Sequence, residues 1–168
     1  LFRNAGLKCP KGSVETKKDL RFAETYSKPF VIKPIDQGSS VGVNIIKSGQ
    51  NDIVQILENW SFGDQFLVEE FIPGRELTVS VLDGEPLCVT EITSNRGFYD
   101  YDAKYEVGGS VHIFPAQLPD EVTNQALDAA LCAHQTLGCR GVTRTDFRYD
   151  DTKQMLGELY LLEINTQP

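Results

Sequence analysis

Short strand-like segments that follow one another through turns, with a single long helical pattern among them, constrain the fold of this chain more than any other feature. Asp83-Gly84 separates two apolar segments and is a strong hairpin signal. Strands joined by short turns pair antiparallel, whereas neighbouring parallel strands need a long crossover between them. The sequence therefore predicts an α+β fold with largely antiparallel sheets and flanking helices. The predicted strands are 29–32, 41–46, 65–72, 76–82, 86–92, 142–148 and 158–164.

Two segments have the apolar spacing of amphipathic helices. The first is 51–60. The second begins at Pro119-Asp120-Glu121, where a proline and two acids favour the first helical turn, and it ends at Gly138. The spacing also predicts the face that this second helix buries, which consists of Val122, Ala126, Ala130, Ala133 and Leu137.

Composition and charge narrow the class of protein. The 168 residues are 40% hydrophobic and 24% charged, so the chain can bury a core. The net charge of −8 argues against nucleic-acid binding, which needs a basic surface for phosphates. No stretch of the sequence approaches the roughly 20 apolar residues of a membrane span, so no membrane partner is expected. The four cysteines lack zinc-ligand spacing, which favours free thiols in a reducing compartment and predicts a cytoplasmic protein; they are Cys9, Cys88, Cys132 and Cys139.

The last two predicted strands carry the most informative polar residues. Arg144 and Asp146 share a face of one strand, and Glu163 and Asn165 share a face of the next, because residues two apart in a strand point the same way. Oxygen ligands from an aspartate, a glutamate and an asparagine suit Mg²⁺. An arginine beside them is suited to stabilising charge on a phosphoryl group or an oxyanion. The alternative is a solvated strand face with an Arg–Asp ion pair.

The register of this hairpin decides whether the four side chains meet. A turn centred near residue 153 would place 143–144 opposite 162–163 and gather the polar groups at one end of the hairpin. Leu159 and Leu161 predict that the face carrying the glutamate lies against the core. Carboxylates clustered on such a face are costly without a cation, which favours the metal-site interpretation.

Three further segments have residue types that suit a nucleotide. Lys33 stands at a strand end before the small-residue loop 38–42, where a lysine and loop amides can hold a phosphate; the alternative is a simple hairpin turn. The segment 67–76 ends a strand in Pro-Gly and can offer backbone groups to a planar base and a glutamate to a ribose; the alternative is an edge strand. In the long irregular loop, 98–105 can close Lys104 over phosphates, with a tyrosine hydroxyl for hydrogen bonding; the alternative is aromatic packing within the loop.

In this order, these segments resemble the D-alanine–D-alanine ligases of the ATP-grasp superfamily. The resemblance covers nearly the whole chain, from 4–7 to 165–168. Its most specific parts are Lys33-Pro34 with Gly38-Ser39-Ser40-Val41-Gly42, Phe98-Tyr99-Asp100-Tyr101 with Ala103-Lys104-Tyr105, and Arg144-x-Asp146 with Leu162-Glu163-x-Asn165-Thr166. The resemblance implies an ATP-grasp fold with a central nucleotide-binding subdomain at 1–95. It also implies part of the C-terminal subdomain at 96–168, with a mobile loop at 96–110 and a metal-binding hairpin at 142–165.

The resemblance also implies a role for each matching residue. The nucleotide would be held by Lys33 and Lys104 at the phosphates, by Glu76 at the ribose, and by Glu69, Glu70, Phe71 and Ile72 at the adenine, partly through backbone atoms. Two Mg²⁺ ions, or Mn²⁺ in their place, would be bound by Asp146, Glu163 and Asn165. Ser39 and Tyr105 would join a hydrogen-bonded group around the first D-alanine, and Arg144 would steady the reacting centre.

The implied activity is the ATP-dependent ligation of two D-alanine molecules, through an acyl phosphate, for peptidoglycan precursor synthesis. The family's N-terminal domain and the glycine-rich segment that follows Pro168 have no counterpart in this sequence. We therefore expect the chain to be the ATP- and magnesium-binding portion of a longer protein, and to turn over poorly or not at all by itself. The family relationship implies that the full-length protein is a homodimer.

Two alternatives stay open at this point. A related ATP-grasp ligase could join D-alanine to D-lactate, although Tyr105 favours the dipeptide-forming enzyme. A non-catalytic nucleotide-binding module would bind ATP without amino-acid-dependent turnover, although the complete set of metal ligands beside Arg144 argues against a degenerate relative.

Overall fold

The computed structural model describes residues 1–19, 22–38, 40–49, 53–94, 110–153 and 155–168. Two antiparallel sheets with short flanking helices and one long helix make up this part of the chain, which confirms the predicted α+β class. None of the helices described is both long enough and apolar enough to cross a membrane. A 3₁₀ helix covers Phe2–Ala5, and the other elements are β1 (Gly12–Thr16), α1 (Phe22–Thr25), β2 (Phe30–Lys33), β3 (Asn44–Ile46), α2 (Ile53–Glu58), β4 (Gln65–Glu70), β5 (Arg75–Leu82), β6 (Glu85–Ser94), β7 (Ser110–Ile113), α3 (Asp120–Thr136), β8 (Val142–Asp150) and β9 (Glu158–Asn165).

The first sheet has the strand order β1-β4-β2-β3. Alternating residues of β2 and β4 point to one face, where α1 and α2 cover them, and Phe66 is fully buried there with its ring 5.3 Å from that of Phe22. The opposite face carries Lys33 and Glu69, which are only partly buried. The first sheet therefore has one apolar face against its helices and one mixed face that is available to a site.

The second sheet has the strand order β7-β6-β5-β8-β9, and α3 packs on one of its faces. The predicted buried face of this helix is confirmed at Val122, Ala126, Ala130 and Ala133 and is wrong at Leu137, which is 41% exposed. The helix ends at Thr136, so residue 137 lies beyond its last turn. His134, which was not among the predicted residues, is the fifth buried residue of this helix. Its Nδ1 lies 2.9 Å from Oγ1 of Thr143.

The strand boundaries differ from the predictions in ways that have local causes. The strand predicted at 41–46 is limited to β3, because the preceding residues turn: Gly42 has φ 71° and Ser40 has φ 60°. Three short elements were not predicted from the sequence, namely β1, α1 and β7. The chain passes from the first sheet to the second at 71–74. The subdomain division at residue 95 stays a prediction.

The hairpin of β8 and β9 has a different register from the one predicted. Asp146 lies opposite Glu163, and Arg144 lies opposite Asn165, so the predicted pairing of 143–144 with 162–163 is wrong. The pairing is displaced because the turn is centred further along the chain and a β-bulge inserts Leu162 as an extra residue. The bulge also breaks the alternation after Leu161. Consequently the residue at 163 is exposed, and the prediction that its face lies against the core is wrong.

Candidate functional site

A cleft of about 290 Å³ lies between the mixed face of the first sheet and the second sheet. Its apolar wall includes Val31 and Leu67 from the first sheet and Leu162, the bulge residue, from the second. Ligand sites are typically concave and mostly apolar with a few placed polar groups, so the cleft has the character of a small-molecule site. The predicted site residues that line it are Lys33, Glu69, Glu70, Phe71, Ile72, Glu76, Asp146 and Glu163.

Lys33 places a positive charge on the first-sheet side of the cleft. Its Nζ lies 2.6 Å from Oε2 of Glu69, and the two side chains share a face because Lys33 pairs with Leu67, two residues before the glutamate. The lysine side chain is 24% exposed, so the cation is anchored but still reaches solvent. A partly buried lysine of this kind is suited to contacting a phosphate as a point charge.

The segment 71–74 joins the two sheets, and its first two residues, Phe71 and Ile72, line one edge of the cleft. At its start, the Glu70 side chain turns toward the beginning of the chain, where its Oε1 accepts a hydrogen bond from the backbone N–H of Lys11 at 2.9 Å. Ile72 is buried, and its carbonyl accepts a hydrogen bond from Arg148. The segment therefore presents backbone and apolar groups to the cleft, which suits a planar heteroaromatic base more than a charged ligand.

Arg148 lines the cleft but was not predicted from the sequence as a site residue. It lies opposite Glu76 in the register of β5 and β8, and its Nη1 lies 3.5 Å from that carboxylate. Burial lowers the pKa of the guanidinium, and the charge of Glu76 opposes this shift. The only signal in the sequence is its position in the alternating series Arg144, Asp146, Arg148 on one strand face.

Asp146 is buried on the second sheet at the opposite end of this polar face, and four hydrogen bonds surround its carboxylate. Its Oδ1 accepts from Thr78 Oγ1 at 2.6 Å and from Arg144 Nε at 3.0 Å. Its Oδ2 accepts from Arg144 Nη2 and from Asn165 Nδ2, both at 3.1 Å. Thr78 was not predicted as a site residue, because its neighbour in space is 68 positions away along the chain.

The donor set at this end of the cleft fits a hard divalent cation. Asp146 and the exposed Glu163 are direct cross-strand partners, and Asn165 lies two residues further along the same strand. Carboxylate and amide oxygens are the ligands that Mg²⁺ takes in proteins. Across the described ranges, no group of three or more His, Cys, Asp or Glu side chains is arranged to hold a metal. The candidate ligands at this end of the cleft are two carboxylates, Asp146 and Glu163, and one amide, Asn165. A cation at Asp146 would compete with the bidentate contact from Arg144.

Three predicted site residues cannot be placed. Ser39, Lys104 and Tyr105 lie outside the residues that the structure describes. The predicted loop 96–110 is outside them as well, except for its last residue. The structure therefore brings eight of the predicted site residues into one cleft, and the roles assigned to all of the site residues stay predictions.

A model of the D-ala D-ala ligase C-terminus family matches residues 7–168. The chain belongs to this family. One curated relative is the D-alanine–D-alanine ligase of Granulibacter bethesdensis. It is 53% identical to this chain over 167 residues, which are 99% of this chain and 54% of that protein. The chain therefore spans about half the length of the curated relatives it matches.

Solved structures of ligases have the same fold. The D-alanine–D-alanine ligase from Bacillus anthracis complexed with ATP superposes with a TM-score of 0.77 at 23% identity, covering 99% of this chain and 52% of that one. The VanG D-Ala:D-Ser ligase from Enterococcus faecalis superposes with a TM-score of 0.79 at 30% identity, covering 99% of this chain and 50% of that one. These likenesses confirm the ATP-grasp fold and the family resemblance inferred from the sequence motifs.

Proposed function

We propose that the protein containing this chain joins two D-alanine molecules into D-alanyl-D-alanine at the expense of ATP, and that the chain contributes the nucleotide and metal sites. One observation carries the proposal: a single cleft between two sheets is lined by the lysine Lys33, an apolar wall, the carboxylate of Glu76 and the carboxylate pair of Asp146 and Glu163. The chain's membership of the ligase family gives these groups a shared purpose.

In the proposed complex, ATP lies along the cleft between the two sheets. The base packs between Leu67 and Leu162 and contacts the backbone of 71–74, and Glu76 accepts hydrogen bonds from the ribose. Lys33 contacts the phosphates from the first sheet. A ligase of the same fold from Bacillus anthracis was solved in complex with ATP, which supports ATP as the ligand proposed here.

The phosphate end of the nucleotide would meet the carboxylate end of the cleft. Two Mg²⁺ ions would be held by Asp146, Glu163 and Asn165, and they would offset negative charge on the transferred phosphoryl group. Arg144, next to Asp146, adds a fixed positive charge on the same side. Ser39, Lys104 and Tyr105 are proposed to complete the site around the phosphates and the first D-alanine.

The reaction needs ATP because a carboxylate is a poor electrophile. An oxygen of the first D-alanine carboxylate attacks the γ-phosphorus, and the bond to ADP breaks. The amine of the second D-alanine, as the free base, then attacks the carbonyl carbon, and the C–O bond to phosphate breaks with release of inorganic phosphate and a proton. Lys33 and Arg144 stabilise the negative charge that moves from ATP to the departing phosphate.

The identity of the second substrate is the part of this proposal with a specific competitor. The relative from Enterococcus faecalis is named as a D-Ala:D-Ser ligase and has the same fold over nearly all of this chain. The alternatives to D-alanine as acceptor are therefore D-serine and, as the sequence left open, D-lactate. Tyr105 is proposed to favour the dipeptide with D-alanine.

The wider setting follows from the same proposal. A ligase of this kind supplies peptidoglycan precursors, acts in the cytoplasm and works as a homodimer of the full-length protein. We propose that its nucleotide-binding subdomain corresponds to residues 1–95 and that 96–168 belongs to the C-terminal subdomain.

The test is phosphate release from Mg-ATP by the full-length protein, measured with D-alanine, L-alanine, D-serine, D-lactate or no acceptor. Release that requires D-alanine, with D-alanyl-D-alanine as product, is expected. Lys33→Ala and Glu163→Gln should each reduce kcat/KM by at least tenfold, whereas Lys18→Ala, a substitution of an exposed lysine outside the cleft, should not. ATP binding without release in any condition would instead support a non-catalytic nucleotide-binding module.

A further inference from the structure

One buried arginine reaches from the second sheet to the segment that joins the two sheets. Arg148 Nε donates a hydrogen bond to the carbonyl oxygen of Ile72 at 3.1 Å, and its Nη2 donates to the carbonyl oxygen of Gly74 at 2.6 Å. Its third nitrogen, Nη1, faces Glu76. A single planar guanidinium thus contacts both halves of the proposed nucleotide site, the base-binding segment and the ribose-binding carboxylate.

The joining segment lies close against β8, which makes these contacts geometrically demanding. Gly74 has φ 90°, and a Cβ at this position would overlap the carbonyl oxygen of Tyr149. Only glycine adopts this conformation readily and allows the backbones to approach so closely. The carbonyls of Ile72 and Gly74 are therefore presented to Arg148 at fixed positions.

The burial of this contact set argues for a role beyond surface pairing. The side chains of Arg148 and Glu76 are only 9% and 12% exposed. A buried guanidinium is tolerated when its donors are satisfied, and here two are satisfied by main-chain carbonyls of the cleft edge. If the arginine were removed, the two carbonyls and the buried carboxylate would lose these shared contacts together, and the cleft edge would be less firmly held to β5.

We propose that Arg148 is a positioning residue of the nucleotide site, which sets the distance between the base-binding segment 71–74 and the ribose-binding carboxylate of Glu76. The inference rests on the proposed function, because it assigns ATP to this cleft. It extends that function by naming the group that couples recognition of the base to recognition of the ribose. Arg148 touches neither reacting atoms nor phosphate in this arrangement, and so it acts through the groups that it holds.

A positioning role and a purely structural role give different results. If Arg148 only stabilised the fold, its replacement would lower the folded fraction and reduce turnover with every nucleotide by the same factor. If it positions Glu76, its replacement would weaken binding of ATP more than binding of an analogue that lacks a ribose hydroxyl. The ratio of the two affinities therefore separates the roles.

The experiment uses the full-length protein with Arg148→Met, Arg148→Lys and, as a matched control, Arg140→Met at an exposed arginine outside the cleft. ATP, 2′-deoxy-ATP and 3′-deoxy-ATP are compared by displacement of a fluorescent ATP analogue in the absence of amino acid, and by KM and kcat for D-alanine-dependent phosphate release. For Arg148→Met we expect a KM for ATP at least tenfold higher and a kcat within threefold of wild type. The preference for ATP over at least one of the two deoxy analogues should be at least threefold smaller. Arg140→Met should match the wild type.

The lysine variant keeps the inference testable if the methionine variant does not fold. Arg148→Lys keeps a charge near Glu76 but cannot reach both carbonyls with a planar fork, so an intermediate loss of ribose preference is expected. A folded Arg148→Lys or Arg148→Met variant that keeps the wild-type ratio of ATP affinity to the affinity for each deoxy analogue would overturn the proposal, as would a wild-type protein that does not distinguish ATP from either analogue. Failure of wild-type turnover with D-alanine would instead count against the proposed function, because the displacement assay needs no amino acid.

Discussion

Removal of one hydroxyl, by Thr78→Val, is expected to weaken metal binding about 10–100-fold while the protein stays folded. Thr78 Oγ1 donates a 2.6 Å hydrogen bond to Oδ1 of Asp146, the most buried of the proposed metal ligands. Valine has nearly the same shape as threonine, so the change removes the hydrogen bond without opening a cavity. Groups that orient a metal ligand in this way typically contribute a factor of about 10–100 to metal affinity.

The structure also sets the expected cost to stability. A hydrogen bond to a charged group contributes about 1.5–3 kcal/mol. Asp146 Oδ1 keeps a second donor, Arg144 Nε at 3.0 Å, when the threonine hydroxyl is lost. The carboxylate oxygen is therefore not left without a partner, and the loss of unfolding free energy should lie at the low end of this range, about 1.5–2 kcal/mol. Asp146→Ala, in contrast, removes the acceptor of all four hydrogen bonds, which come from Thr78, Arg144 and Asn165, and should cost more.

The assay is a Mg²⁺ titration of D-alanine-dependent phosphate release at fixed total ATP in the full-length protein, together with direct Mn²⁺ binding measured by electron paramagnetic resonance. Thr78→Val should raise the apparent metal dissociation constant about 10–100-fold, and Thr78→Ser, which keeps the hydroxyl, should stay within about threefold of wild type. If the valine variant is folded and binds Mn²⁺ as tightly as the wild type, then the Thr78 hydroxyl does not orient Asp146 for the metal.

Three further predictions concern the fold and its pH dependence. Leu77→Ala, at a fully buried position of β5, should lower the unfolding free energy measured by urea denaturation by about 2–5 kcal/mol. Leu82 is 47% exposed on the same strand, and Leu82→Ala should change the unfolding free energy by less than about 0.5 kcal/mol. Equal effects would contradict the packing described. Gly42→Ala should destabilise the protein by more than about 1 kcal/mol, because φ is 71° and the added Cβ would lie 2.5 Å from the ring of Phe62. The same substitution should raise the KM for ATP. An unchanged KM would show that this turn does not contribute to the nucleotide site. Hydrogen bonding and attraction to Lys8 lower the pKa of the Glu158 carboxyl below its ordinary value of 4.5, so its stabilising effect is present above that pH and is lost as the pH falls through the folded-state pKa. Glu158→Gln should therefore lower the melting temperature at pH 7 and have a decreasing effect below pH 4.5; a constant difference down to pH 2 would contradict this.

The long periodic elements were predictable from the sequence because their signals are local. The alternation of β5 and the glycine turn after it are contained within a dozen residues, and α3 combines favourable first-turn residues with an apolar stripe. β1 has no such signal: its apolar Val14 is 53% exposed, and the strand exists because it pairs with β4 more than fifty residues away. Short edge strands of this kind are defined by their partner and not by their own composition.

The candidate site divides in the same way between local and distant information. Asp146 and Glu163 could be selected from the sequence because their residue types and spacing suit a cation. Their exact register could not, because the bulge at Leu162 is set by how the hairpin packs on the rest of the sheet. Arg148 and Thr78 could not be found, since what gives them a role is contact with residues roughly seventy positions away.

Activation of a D-alanine carboxylate by phosphorylation in this cleft can be followed with an oxygen label. D-alanine with both carboxylate oxygens labelled with ¹⁸O is incubated with Mg-ATP and the full-length protein, and the released phosphate and the dipeptide are analysed by mass spectrometry. We expect one ¹⁸O in each released phosphate, because the carboxylate oxygen that attacks the γ-phosphorus leaves with it, and one labelled oxygen retained in the new amide carbonyl. Unlabelled phosphate released alongside dipeptide would contradict an acyl phosphate intermediate and, with it, the role assigned to this site.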